Sequence, residues 1–229
     1  MNDTARATAP FARTATGPAG APLPDRPLAA ALGYVEQRHW EVVPGAWLEY
    51  GAGAECCSCG DAGCAAPGAH PMRPDWKAVA TASPTTVRRL WGRAPDAAVL
   101  LPTGRAFDVV DVPEAAGCLA LARLERTQVP LGPVAATPRR RMLFFVLPGA
   151  AGKCAALLGR LGYGQSPLDL TAHGPDSWIP APPTRMGGSA RVQWARRPTV
   201  SNAWFPDLED LINPLAYACS LERVPAGVR

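Results

Sequence analysis

Four of the seven cysteines in this 229-residue chain stand within nine positions, Cys56 to Cys64, and His70 follows six residues after the last of them. The stretch Glu55 to Pro71 reads C-x-C, four residues, Cys, five residues, His, with glycines at 60, 63 and 68 for tight turns. Thiolate is a soft donor and imidazole suits zinc, so three Cys and one His can close a tetrahedral shell around Zn2+. The ligand set predicted is Cys57, Cys59, Cys64 and His70, with Cys56 spare and the knuckle spanning 56–71. A filled shell leaves no position open for water, so the zinc is expected to be structural. Cys118, Cys154 and Cys219 sit singly in apolar helical contexts, which argues against a disulfide framework and for a reducing cytoplasm.

Gly and Pro are frequent, 22 and 26 residues, yet 48% of the chain is apolar and 18% charged, as in a folded domain with many turns. The longest apolar run, Met142 to Leu147, has six residues, well short of the ~18 that a membrane span needs. No membrane partner is therefore expected. Residues 1–26 hold few large apolar side chains and are expected to be a disordered tail, with 27–229 as one domain. Net charge is +4, too mild to identify a nucleic-acid partner. Only two of the 23 basic residues are lysines, a bias open both to a compositional reading and to phosphate recognition by guanidinium.

The apolar spacing predicts a helix from Pro27 and a second one capped by Ser83 and begun by Pro84. Strands are expected over 97–101 and 107–112, joined by a Pro-Thr-Gly turn, then a helix over 114–126 with Cys118, Leu121 and Leu124 as its buried stripe. Residues 134–136 and 142–147 read as a hairpin around Arg139, Arg140 and Arg141, which are open to two readings, a phosphate site or a solvated tip. A helix over 150–161, strands at 168–170, 177–179 and 191–194, and a helix over 207–221 with Pro214 inside complete the pattern. The class is α+β, a mostly antiparallel sheet with flanking helices.

An ordered set of motifs resembles the bifunctional DNA primase/polymerase (prim-pol) domain of the archaeo-eukaryotic primase superfamily. They are the knuckle ending in Pro67-Gly68-Ala69-His70-Pro71, Trp76-Lys77, Trp91, Leu101 to Gly104, Phe107 to Val112, Arg141 to Phe145, Leu168-Asp169-Leu170, and Ile179 to Thr184 with Gln193-Trp194. The resemblance implies a palm-like sheet with an N-terminal α/β unit carrying the knuckle. In active members it also implies joining of nucleotides on a DNA template with Mg2+ or Mn2+ held by carboxylates.

The family's first metal motif is D-x-D, and here Asp111-Val112-Pro113 puts a proline at the second carboxylate. Asp108, three residues away on a strand, faces the other side. The family's phosphate-contacting His corresponds to Met142, and the third-motif carboxylate is Asp169. Asp111 and Asp169 are thus the surviving catalytic candidates, and His173, next to Gly174-Pro175, is expected in a loop. Leu101 to Arg105 is expected to be a plain turn.

Three functions follow as expectations: a catalytically degenerate DNA- or nucleotide-binding module, an active primase/polymerase with a reduced metal site, and a regulatory protein-interaction module. No G-x-x-x-x-G-K-[ST] loop is present, so a helicase or other replication protein is expected as a separate partner. The expected location is cytoplasmic.

Overall fold

A computed structural model describes residues 26–222 except 52, 128, 165–167, 189 and 200–203. Apart from Arg26, the expected tail lies outside the described residues.

Two sheets face each other across a buried aromatic cluster. The larger has five strands in the order β10-β6-β7-β5-β8, with β5 (Asp108–Pro113) near its centre, flanked by β7 (Arg141–Val146) and β8 (Thr171–His173). β6 is Val134–Thr137 and β10 is Gln193–Arg196, and all of these pairings are antiparallel. Alternation along β5 and β7 divides the apolar residues between two faces. Val110, Val112, Met142, Phe144 and Val146 pack beneath α4 (Glu114–Arg126), α5 (Ala150–Arg160) and α6 (Leu208–Leu221). Val109, Leu143 and Phe145 face the other way. There Phe145 stacks on Trp40 at 5.5 Å, and Phe107 lies 4.7 Å from Phe145.

The smaller sheet has the order β1-β4-β9, namely Val43–Gly45, Ala98–Pro102 and Trp178–Pro180. It is covered by α1 (Pro27–Arg38) and by α3 (Pro84–Arg93), whose N-terminus is capped by Ser83 Oγ accepting from the Thr86 amide at 3.4 Å. A short helix, α2 (Trp76–Val79), and a hairpin of β2 (Leu48–Gly51) with β3 (Ala54–Cys57) complete this N-terminal unit. The α+β class is as expected. β4 and β5 are the expected strands on either side of the turn, but they join different sheets, and β4 pairs with β1 and with β9 from the C-terminal half. Two local expectations are corrected. Cys118 is exposed, because α4 seats Gly117 directly on Met142 and its buried line is Ala116, Gly117, Ala120 and Leu124. Asp169 precedes β8 rather than lying on a strand.

The turn after β4 fixes where β8 ends. Thr103 Oγ1 donates to the Gly174 carbonyl at 2.6 Å, and the Thr103 amide donates to the Ser177 carbonyl at 3.0 Å. The Gly104 amide donates to the Phe107 carbonyl at 2.8 Å, so one amide closes the turn and the other ties it to the segment before β9. Gly104 has φ +95°, and a Cβ there would lie 2.4 Å from Pro175 Cα. Gly104→Ala combines left-handed strain with backbone overlap and is expected to cost about 3 kcal/mol, a fall of roughly 10 °C in a thermal melt.

Candidate metal centre and carboxylate cluster

The knuckle is built by strand alternation and one glycine turn. On β3, Cys56 and Cys57 point to opposite sides: exposed Cys56 lies with its Sγ 3.6 Å from the Glu49 carbonyl, while Cys57 is buried. The ligand atoms of Cys57, Cys59, Cys64 and His70 all lie within 4.8 Å of one another, and Cys57 Sγ is 3.4 Å from His70 Nε2. Bonds of ~2.3 Å from a tetrahedral ion to sulfur put neighbouring sulfurs about 3.8 Å apart, so little contraction is needed to seat a metal. His70 Nδ1 lies 2.8 Å from the Pro71 carbonyl, a contact that orients the ring with Nε2 toward the thiols. These four residues, the ones expected, could hold a metal ion.

The thiols are prepared for one. Burial opposes ionisation of Cys57, but hydrogen bonds involving the Cys59 and Gly68 backbone and the His70 and Cys59 side chains bring it down to about 7. Cys64 is pushed up to about 11 by burial, against a hydrogen bond from the Ala66 backbone, and then by hydrogen bonds with Cys57 and Cys59 and by repulsion from the Cys57 charge. A cation relieves that repulsion. In the metal-free, reduced chain, thiolate absorbance near 240 nm is expected to rise first with a midpoint about pH 7, and Cys57→Ser should remove that step; an unaltered titration would contradict the assignment.

The second cluster gathers on the sheet face shared by Val109 and Leu143. Asp111 lies opposite Leu143 on β7 and Thr171 on β8, Pro113 lies opposite Arg141, and Val109 opposite His173. Period-two geometry therefore puts Asp111, Pro113, Arg141 and His173 on one face. Arg141 Nε donates to Asp111 Oδ1 at 2.7 Å and Nη1 donates to Asp169 Oδ2 at 2.7 Å, with Nη2 3.4 Å from the Asp111 carbonyl. One guanidinium thus spans both surviving carboxylates. Partial burial lowers the basicity of Arg141, but hydrogen bonds and charge from Asp169 and Asp111 outweigh it and raise the group above its ordinary value.

The three arginines do not act together. Arg139 donates to the Ala65 carbonyl of the knuckle at 2.9 Å, and Arg140, at φ +57°, pairs with Glu114 at 3.4 Å. Only Arg141 turns to the carboxylates. Met142, the expected counterpart of the family's histidine, faces the opposite way, buried against Gly117 and sharing its core with Val112; the residue presented beside Asp111 is Arg141. Asp108 is fully buried on that opposite face, accepting from the Ala151 amide at 3.0 Å, so it belongs to α5 and not to this cluster.

His173 corrects another expectation. It lies on β8, with Nε2 3.4 Å from Asp111 Oδ2 and Nδ1 3.2 Å from Ser177 Oγ. The run Thr171-Ala172-His173 before Gly174-Pro175 is too short to announce a strand by its periodicity.

The family model for the N-terminal domain of bifunctional DNA primase/polymerase matches residues 31–209. The chain belongs to this prim-pol family. The match covers both sheets and both clusters, and so takes in β9 and β10 as well as the knuckle. Comparison with curated proteins gave no match, and comparison with solved structures gave none. Among the described residues no helix is long and apolar enough to cross a membrane.

Proposed function

We propose that this prim-pol domain binds nucleic acid or nucleotide without joining nucleotides. The observation that carries the reading is Arg141: in the β5–β7 ladder it stands opposite Pro113, where D-x-D would supply a carboxylate, and its guanidinium holds Asp111 and Asp169 together. Nucleotidyl transfer needs Mg2+ or Mn2+ between carboxylates and triphosphate. Here two carboxylates remain, and a fixed positive charge lies between them. The residues do not fit a catalytic metal pair, and no catalytic step is assigned to them.

The knuckle is read as a structural zinc site. Three thiols favour a soft ion, the shell is complete, and Pro71 orients the imidazole from behind. Three cysteines committed to a metal, with Cys118, Cys154 and Cys219 standing singly, suit a reducing, cytoplasmic setting, and a helicase or another replication protein as a separate partner remains part of the proposal.

One observation favours the alternative of an active enzyme with a reduced site: His173 adds a third metal-capable donor beside Asp111. A primer-synthesis assay with labelled nucleotides, single-stranded template and Mg2+ or Mn2+ separates the two. The expected result is incorporation no greater than that of Asp111→Ala, together with strand binding that weakens steeply with salt. Incorporation lost in Asp111→Ala would overturn the proposal.

A further inference from the structure

Gly68 of the knuckle lines a hollow of about 270 Å³ that also gathers three arginines. Arg26 comes from the start of α1, while Arg185 and Arg191 face each other across a short antiparallel bridge, and Asp96 also lines the hollow. Arg185 is anchored through Nη2 to Glu55 Oε1 at 3.2 Å and to the Gly188 carbonyl at 3.3 Å, while Glu55 also takes the Gly188 amide. Arg26 and Arg191 are exposed. Arginines gathered around one concavity favour an anion there, and the planar fork of arginine matches phosphate oxygens. Helix α1 begins at the same place with Arg26 and Pro27, without a side-chain cap or an acid in its first turn, which adds positive potential to that of the arginines.

The size and the neighbours of the hollow narrow the ligand. Its volume is below the ~300 Å³ at which pockets enclose a whole small molecule, so it suits a phosphate and part of a sugar. Leu48 of β2 lines it, and Tyr50, two residues along the same strand face, is 73% exposed. An exposed ring beside a cationic hollow is the arrangement that seats a base next to its own backbone phosphate. We infer that the hollow binds a backbone phosphate of single-stranded nucleic acid, with Tyr50 as the stacking platform for the adjoining base.

The inference rests on the reading that the chain binds nucleic acid, and it places that binding outside the carboxylate cluster. The knuckle builds one side of the hollow. Gly68, at φ +73°, lies so close to Arg185 that a Cβ would stand 2.5 Å from the Arg185 carbonyl oxygen, and its amide donates to Cys57 Sγ at 3.5 Å. The metal ligands and the phosphate site thus share a backbone wall.

The test is fluorescence anisotropy of a labelled single-stranded oligonucleotide with the full, zinc-loaded chain at several salt concentrations. Inorganic phosphate and a mononucleotide are titrated separately. Arg26→Ala/Arg191→Ala is expected to raise Kd at least about tenfold and to reduce the salt slope by about two, and Tyr50→Ala to raise Kd roughly fivefold or more. Arg160→Ala, on α5, should change neither, and all variants should melt as the parent does. Strand binding that survives the double Arg substitution overturns the inference and leaves the binding function standing. If the parent binds no strand at any salt, the nucleic-acid reading falls. Phosphate or mononucleotide binding lost in the double variant then assigns the hollow to free phosphate, and the absence of that binding too overturns it. Strand binding weakened by the Arg pair but untouched by Tyr50→Ala supports the phosphate site and removes the stacking platform.

Discussion

Arg141→Ala is expected to make the carboxylate cluster of the zinc-loaded protein bind Mn2+ at least about tenfold more tightly than the parent does, measured by electron paramagnetic resonance of free Mn2+. The guanidinium is the cation that Asp111 and Asp169 now share. Removing it leaves two carboxylates and an imidazole facing one space, a hard donor set suited to Mn2+. His173→Ala in the same background should weaken the gained binding, since the imidazole is then missing. The substitution should also destabilise the fold by about 1–2 kcal/mol, because Arg141 and Asp111 are largely shielded while Asp169 is exposed and its share is screened. Parent protein that binds Mn2+ as well as the variant would show that Arg141 does not fill the metal position, and would reopen the catalytic reading.

That prediction depends on a face assignment which the linear motif does not contain. Position in the linear motif sets Met142 against the family's histidine, and only the pairing of β5 with β7 shows that Met142 lies with Val112 and that Arg141 lies with Pro113 and Asp111. A one-residue shift on a strand exchanges core for site. His173 was hidden for a related reason, since a three-residue strand before Gly-Pro is too short to give a periodic signal. The hollow at Arg26, Arg185 and Arg191 draws on segments about 160 residues apart, and no local pattern announces it.

What was legible had local causes. Ser83-Pro84 carries its own cap and first turn, the 134–147 hairpin carries alternation on both sides of a turn, and the knuckle carries ligands whose chemistry is recognisable by spacing. The alternation at Cys56-Cys57 even decides which thiol enters the cluster once β3 is known. The sheet order was not legible, because β9 reaches β4 across nearly 80 residues, and Cys118 was misplaced because Gly117, not the larger apolar side chains, sets how α4 sits on β7.

Removing the knuckle's metal is expected to lower the melting temperature by about 10 °C, equivalent to roughly 3 kcal/mol, with His70→Ala and Cys57→Ser giving similar losses and no further response to chelator. Zinc-finger peptides owe all of their folding to metal, but this site is attached to a domain with two sheets and its own apolar cores, so loss of the ion should loosen the knuckle first and unfold the remainder only at higher temperature. The loosening should reach beyond the ligands. Gly68 links Cys57 to the Arg185 backbone, and Ala65 links the knuckle to Arg139 in the turn that carries Arg141. Chelation should therefore increase amide hydrogen exchange at 137–141 as well as at 57–70, while α6, on the opposite face of the large sheet, keeps its protection. An ordinary surface loop would confine the change to itself, and exchange unchanged at 137–141 would show that the Arg139 contact transmits nothing. A chain that purifies without zinc, refuses to take it up, and melts identically with and without chelator would remove the metal from the account of the fold altogether.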